Sequence, residues 1–457
     1  MSRQDARLFG DETIVAVSTP PGRGAVALVR MSGARAFEIA KRHVMPWPEK
    51  ARTAFLTDIA DGDSPLDQAL TTLFPGPESF TGEDVVELWT HGGHVVPLSV
   101  AAAFIRSGAR QATAGEFTRR AVLNGKLDLV QAEGLGELIG SRSTAMQRAA
   151  LSQLHGGLSR KLADLRSQFL SLEALIAYEI DFPEEDDGPI DEAEITRASQ
   201  KIVTELEALL ATTSLGKVIR DGAVVVIGGP ANSGKSSLFN ALLGAARAIV
   251  TDVPGTTRDA IEAVVDVGEW PLRLVDTAGL REASDRIERL GIEISERYMK
   301  SADVVLACAD SADELVSTLA KVRTLTDMPV ICVRTKADLD EMPATAPGQT
   351  RDCVFVSAEA RTGLEGLIDR ITDHLRATYG DHGTEIPMLT TARQAHAIET
   401  ALSEMRSFLT ARSDERVPAI IAAVHLRECV RVLEELIGAV DIEDVLDTLF
   451  STFCVGK

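Results

Sequence analysis

Gly229-Pro-Ala-Asn-Ser-Gly-Lys-Ser236 decides how this chain is read. Just before it lies Ala223-Val-Val-Val-Ile227, a short apolar run with β-branched residues; just after it, Ser237-Leu-Phe-Asn-Ala-Leu-Leu243 has a helical pattern. Strand, glycine-rich turn, Gly-Lys-Ser and helix make a phosphate-binding loop. Its backbone N–H groups must point inward at phosphate oxygens, so bulky side chains have to stay out of the turn. The helix N-terminus adds a favourable field. Lys235 supplies a point charge for the outer phosphates and Ser236 a hydroxyl for Mg²⁺. A glycine-rich turn with a capping serine would account for the glycines, but not for a lysine directly after the last of them.

Working outward, five stretches extend the site. Thr251-Asp-Val-Pro-Gly-Thr-Thr-Arg-Asp259 is a polar loop whose threonines can reach Mg²⁺ and sense the third phosphate. Leu272-Arg-Leu-Val-Asp-Thr-Ala-Gly279 reads as a strand ending in Asp276, placed to orient the metal's water shell, followed by Thr277, Ala278 and Gly279, whose N–H can touch the γ-phosphate. Val304–Ala309 and Val330–Arg334 read as buried strands. The second runs into Thr335-Lys336-Ala-Asp338, where the aspartate can accept two hydrogen bonds from guanine N1 and the 2-amino group, a donor pair adenine lacks. Cys353-Val-Phe-Val-Ser-Ala358 is the last strand, and Ser357 and Ala358 can close over the base. Each signal alone is weak. Their order, each at the C-terminal end of a strand, points to a guanine nucleotide.

The chain has 457 residues, enough for two to four domains, and a formal net charge of −21. That charge gives no general attraction to nucleic acid or an anionic membrane, so RNA contact would need a local basic patch or a partner's surface. No stretch is long and apolar enough to span a membrane, and residues 1–12 do not read as a signal peptide, which suits the cytoplasm. The five cysteines form no CxxC pair, as expected in a reducing compartment, and Cys308, Cys332 and Cys353 read as small buried hydrophobes.

Residues 1–126 mix strands (Thr13–Val17, Ala25–Arg30, Val85–His91) and helices (Ser32–Ala40 with Ser32 as possible cap, Val96–Gly108) in an α+β domain. Its polar residues beside glycines leave a binding module and a solvated surface both open. Apolar residues then recur at helical spacing from Thr144 to Ala177, and from a cap at Asp191 to about Thr212. The acidic run 179–189 between them reads as a loop. Helical pattern resumes at Thr391–Leu409, Pro418–Ile437 and Ile442–Leu449. The chain therefore reads as multidomain: the N-terminal domain, an all-α domain from both flanks (127–219 and 381–457), and an α/β nucleotide domain (220–380) inserted into it. Two separate small bundles are the alternative.

The nucleotide domain resembles the translation-factor-like P-loop GTPases, and the whole chain resembles the tRNA uridine-5-carboxymethylaminomethyl modification GTPases. The signatures are Thr19-Pro-Pro-Gly-Arg-Gly24, Thr81-Gly-Glu-Asp84 with Glu87 and His91-Gly-Gly93, Gly115-Glu-Phe-Thr118 with Asn124-Gly-Lys-Leu-Asp-Leu129, and the tail Phe453-Cys-Val-Gly-Lys457. The resemblance implies a homodimer that hydrolyses GTP and modifies C5 of the wobble uridine of tRNA. It implies a flavin-dependent partner that carries FAD, and a tetrahydrofolate one-carbon donor. Arg30, Glu87, Lys126 and Lys457 match the family's folate-contacting positions, and Cys454 a position beside them, as nucleophile or as pocket wall. Ser236 and Thr257 match Mg²⁺ ligands. Asn232, Thr251, Val253 and Thr256 match a K⁺ site, which would place positive charge at the β–γ bridging oxygen. Ser233, Gly234, Ser237, Asp252, Pro254 and Gly255 complete the matched nucleotide loops. Leu280 cannot polarise water, and the resemblance assigns that role to Glu288.

Three positions depart from the family pattern. Thr335 stands where asparagine is usual and would brace base and loop, Glu359 where lysine is common, and Ala114 where proline precedes Gly115. A regulatory GTPase switch or ribosome-assembly module without modification chemistry is the competing reading.

Overall fold

The computed structural model describes residues 12–181, 192–245, 247–248, 262–267, 270–276, 298–339, 353–380, 387–414, 416–438, and positions 449, 453 and 456. Two compact units result: Met1–Gly136 with Glu434–Lys457, and Glu137–Leu433.

The first unit is built on a seven-stranded sheet. Its elements in chain order are β1 (Ile14–Val17), β2 (Val26–Ser32), α1 (Ala36–Ala40), β3 (Val44–Met45), β4 (Phe55–Asp61), β5 (Ser64–Phe74), β6 (Val85–His91), α2 (Val96–Arg106), β7 (Arg110–Gln111) and α3 (Glu116–Leu123), with α4 (Leu129–Gly140) following. The strand order is β3-β4-β5-β6-β2-β1-β7, antiparallel except for β1 with β7. Alternation along each strand sends Val15, Met31, Val86 and Leu88 to one face, where Ile39 of α1 and Phe104 of α2 cover them. The opposite face is closed at its β1 end by Phe117 of α3 against Ile14 and Ala16. Among the described residues its side chains across β4, β5 and β6 are largely exposed. Leu56, Leu70 and Trp89 lie in one cross-strand row there, 59%, 45% and 43% exposed.

The hairpin β4–β5 was not apparent from the sequence, although Gly62-Asp63 between two alternating runs is a hairpin signal and Gly62 takes φ +60°. Ser32 is not a helix cap. It ends β2, and its hydroxyl lies 2.7 Å from Thr81 Oγ1 and donates to Glu83 Oε2 at 2.7 Å.

In the second unit, helices from both flanks pack together. They are α5 (Thr144–Leu154), α6 (Gly157–Asp181), α7 (Glu192–Ala211) and α8 (Thr213–Asp221) before the nucleotide fold, and α12 (Ala392–Ser413) and α13 (Ala419–Ile437) after it. The single helical run expected over 144–177 is broken in two, because Gly156 takes a left-handed φ of +76°. Thr391 caps α12 in a capping box with Gln394, and this helix runs four residues further than its pattern suggested. Arg406 reaches Glu207 at 2.7 Å, and Arg412 reaches Glu179 at 2.7 Å, joining late helices to early ones. Asp191, and all of the expected helix Ile442–Leu449 except Leu449, lie outside the described residues.

The chain leaves and re-enters this bundle at one place. Thr212 Oγ1 accepts from Leu389 N at 3.0 Å, Arg220 Nη1 donates to Thr390 O at 2.6 Å, and Gln153 Nε2 donates to Thr390 Oγ1 at 2.9 Å. Gly216 of α8 lies so close that a Cβ there would come within 2.0 Å of Leu389 O.

The nucleotide fold between them has β8 (Ala223–Gly228), α9 (Lys235–Ala245), β9 (Arg247–Ala248), β10 (Glu262–Asp266), β11 (Pro271–Asp276), β12 (Val304–Ala309), α10 (Ala312–Arg323), β13 (Val330–Arg334), β14 (Cys353–Phe355) and α11 (Leu364–Tyr379). Its sheet order is β14-β13-β12-β8-β11-β10-β9, parallel from β14 through β11. Every residue of β8 and β12 is buried, as continuous apolar runs in a two-sided sheet should be. Cys308 is fully buried, and burial pushes its thiol up to about 12, so it remains an inert hydrophobe. Cys332 and Cys353, paired in register on β13 and β14 toward the sheet's edge, are only half-buried.

Candidate functional site

Central strand β8 lies between β11 and β12, so the connections on its two sides run in opposite directions from it, and the crevice at its C-terminal end is where such sheets bind ligands. The phosphate loop occupies that end. Gly229 lies against β12, where a Cβ would fall 2.2 Å from Cys308 O. Asn232 takes φ +60° and Gly234 φ +80°, left-handed steps that turn the chain back into α9. Ser233 is buried and its Oγ donates to Pro230 O at 2.9 Å. Lys235, 5% exposed, donates its ammonium to the same Pro230 carbonyl. Ser236 and Ser237 open the helix on its exposed side.

Ser236 Oγ donates to Asp276 Oδ2 at 2.7 Å, so the first residue pair expected around Mg²⁺ converges from α9 and the end of β11. A hydroxyl beside a carboxylate is a hard oxygen set that fits Mg²⁺. The loop expected to read the base is joined to the phosphate loop directly. Thr335 is buried, and its hydroxyl sits 2.6 Å from Ser233 O and 3.1 Å from Ala309 O. Lys336, at φ +55°, places its ammonium 2.7 Å from Asp310 Oδ2, and this hydrogen bond holds the Asp310 carboxyl below its usual range. Asp338 is exposed at the mouth of the same loop. Ser357 is fully buried; it exchanges backbone hydrogen bonds with Thr362 and its Oγ accepts from Ala360 N at 3.0 Å, which shapes the turn after β14 beside half-buried Ala358. The structure thus brings together Ser233, Gly234, Lys235, Ser236, Asp276, Thr335 and Lys336. Residues 251–257, 277–279 and Glu288 lie outside the described residues.

A second constellation lies in the first unit, on the partly open sheet face. Arg30 and Glu87 are directly opposite in the β2–β6 register, and the guanidinium meets the carboxylate at 2.8 Å. The Arg30 guanidinium also lies 5.5 Å from the Phe80 ring centre and 5.7 Å from that of Phe117. The neighbouring pair along the same strands is Leu28 with Trp89, so the ion pair adjoins the exposed apolar row. Lys126 is exposed near Gly82. Cys454 and Lys457 lie outside the described residues, but Phe453 packs with Leu129 and Ala132, and Ser18 Oγ donates to Gly456 O at 2.8 Å.

Sequence reasoning missed what the signatures around Thr81 and Gly115 do. Arg120, 3% exposed, meets Glu83 at 3.1 Å and Glu116 at 3.0 Å, and Glu116 in turn meets Arg110 at 2.7 Å. Burial alone would raise the Glu116 carboxyl, yet the donors of Arg110, Thr113 and Arg120 outweigh it and hold it at about 2. Four charged residues dispersed in sequence, Glu83, Arg110, Glu116 and Arg120, form one clamp around a buried Glu116–Arg120 pair and fix α3 against the loop before β6. The recurrence of acidic and basic residues beside glycines was the available signal. The pairing was not legible.

Comparisons with known proteins agree with this architecture. The family model described as "MnmE helical domain" matches residues 129–454, and the one described as "GTP-binding protein TrmE N-terminus" matches residues 13–126. Among curated relatives, the tRNA modification GTPase MnmE of Heliobacterium modesticaldum is 39% identical, covering 98% of this chain and 100% of its own. Those of Aquifex aeolicus (37%; 98% and 100% covered) and Azorhizobium caulinodans (40%; 98% and 99% covered) are similar over the same extent. From end to end, then, this chain is a member of the MnmE family of tRNA modification GTPases.

Proposed function

We propose that this protein hydrolyses GTP in its inserted domain and couples that step to modification of C5 of the wobble uridine, position 34, of certain tRNAs. The observation that supports the nucleotide reading is the hydrogen bond from Thr335 Oγ1 to Ser233 O, which ties the phosphate loop to the loop of Asp338 at the C-terminal ends of the inner strands. Lys235 is restrained by the Pro230 carbonyl, and a phosphate oxygen would compete for that ammonium as a better, anionic acceptor. Ser236 and Asp276 would hold Mg²⁺, directly and through water, with Thr257 as second ligand. When bound, the ion supplies positive charge to the β- and γ-phosphates. K⁺ would be held by Asn232 with Thr251, Val253 and Thr256, and Glu288 would orient the attacking water.

In the first unit the reading is a tetrahydrofolate site at Arg30, Glu87, Lys126 and Lys457. Gly456 sits on Ser18, which follows the strand paired with Arg30, and this supports a tail that reaches the same face. Cys454 belongs to that tail, as wall or as thiol. The exposed row Leu56–Leu70–Trp89 supports a homodimer through this sheet. A flavin-dependent protein carrying FAD completes the reaction as a heteromeric partner, and the setting is cytoplasmic. Among the described residues no helix is long and apolar enough to cross a membrane.

The test has two arms. Purified protein should turn over GTP faster in K⁺ than in Na⁺ at matched ionic strength, and Lys235→Ala should remove turnover. tRNA nucleosides from a deletion strain should lack the modified wobble uridine. Equal rates in the two salts would reject the K⁺ site, and unchanged nucleosides would leave only a regulatory GTPase.

A further inference from the structure

We infer that this protein recognises guanine without donating a hydrogen bond to N7, because position 335 commits its only side-chain hydrogen to backbone carbonyls. The inference rests on the nucleotide reading above and adds the means of base discrimination. A hydroxyl has one hydrogen and otherwise only lone pairs. Thr335 Oγ1 faces two acceptors, Ser233 O at 2.6 Å and Ala309 O at 3.1 Å, neither of which can donate. Its hydrogen is therefore directed at one or shared between them, inside a site where the residue is 4% exposed. Other donors of the same loop are also engaged. Thr335 N donates to Ala309 O at 3.0 Å, Ala337 N to Val356 O at 3.3 Å and Leu339 N to Lys336 O at 3.0 Å. The Lys336 ammonium donates to Asp310 Oδ2 at 2.7 Å.

Guanine N7 and O6 are acceptors, whereas N1–H and the 2-amino group are donors. Thr335 can only accept toward the base, and N7 has nothing to donate. An asparagine at 335 would carry two N–H bonds, one for the loop carbonyl and one to spare. Threonine keeps the brace on the phosphate loop and gives up the second bond. Discrimination then falls on the donor edge, read by the exposed carboxylate of Asp338.

The experiment is displacement of a fluorescent GDP analogue from the full chain by GTP, 7-deaza-GTP and ATP. 7-deaza-GTP replaces N7 by C–H and leaves the donor edge intact. We expect 7-deaza-GTP to compete within about twofold of GTP, and ATP to fail. In Thr335→Asn the same analogue should fall behind GTP by about fivefold or more, the scale of one lost hydrogen bond. A fivefold penalty in the unsubstituted protein would overturn the inference, and so would a Thr335→Asn ratio that does not move. Failure of GTP itself to bind is a different result, which would remove the guanine site altogether.

Discussion

Glu116→Gln removes one charge from the clamp in the first unit while keeping its shape. The carboxylate is 2% exposed and accepts from Arg110 Nη2 at 2.7 Å and Nη1 at 3.1 Å, Arg120 Nη2 at 3.0 Å, Thr113 N at 2.8 Å and Thr113 Oγ1 at 3.2 Å. An amide would turn one acceptor oxygen into a donor that faces other donors. With the amide nitrogen in place of Oε1, Arg120 keeps only Glu83 and the Glu12 carbonyl; with it in place of Oε2, the Thr113 donors lose their acceptor. Removing one partner of a buried pair costs about 3–5 kcal/mol. The ionisation gives a second route to the same figure: a carboxyl carried from 4.5 to about 2 contributes on the order of 3 kcal/mol at neutral pH.

The sign follows from the direction of that change. The folded value is the lower, so the stabilisation is complete above about 4.5 and disappears as pH falls toward 2. Because the chain is multidomain, the readout should be local: amide exchange over residues 110–123, corrected for its intrinsic pH dependence. The variant should lose about 3 kcal/mol of protection at pH 7, and the gap should narrow below pH 4. GTP turnover in the second unit serves as the control. Equal protection at pH 7, or a gap indifferent to pH, would refute the claim that a buried ionised glutamate holds α3 in place.

Two further substitutions test close approaches. Gly456→Ala places a Cβ 2.8 Å from Ser18 Cα at a φ of +96°, so strain and clash together should exceed about 1–2 kcal/mol and unseat the tail. Modified wobble uridine should fall while GTP turnover stays; normal modification would show that tail seating is dispensable. Gly216→Ala drives a Cβ to 2.0 Å from Leu389 O, a backbone atom that cannot rotate away, and should lower the thermal midpoint of the second unit by the equivalent of about 2–3 kcal/mol. A midpoint equal to that of the unsubstituted protein would mean that α8 and the returning chain are not locked together.

The nucleotide fold was legible because local rules govern it. The parallel strands are apolar runs, loops expected to bind nucleotide follow the C-terminal ends of β8, β11, β13 and β14, and glycine and lysine have no substitutes in the turn; the antiparallel strands β9 and β10, short or flanked by Glu262 and Asp266, were not read. The helical pattern on both sides of the insertion was readable on the same grounds, although Thr391, read as the first helical residue, is the cap. The β4–β5 hairpin was harder, since its alternation is interrupted by polar residues on an edge that the sheet leaves partly wet. The break at Gly156 was hidden because a helical period can continue in register across a two-residue interruption.

Sequence by itself determined the family, the fold class and the residues of the phosphate loop, since periodicity and turn chemistry depend on near neighbours. Tertiary structure alone decided that Thr335 gives its hydrogen to Ser233 O, that Arg30 lies opposite Glu87, and that Arg120 joins Glu83 to Glu116. A hydroxyl or a guanidinium carries no record of its partner. Strand register and the approach of distant loops choose it, and they are set by packing over the whole unit.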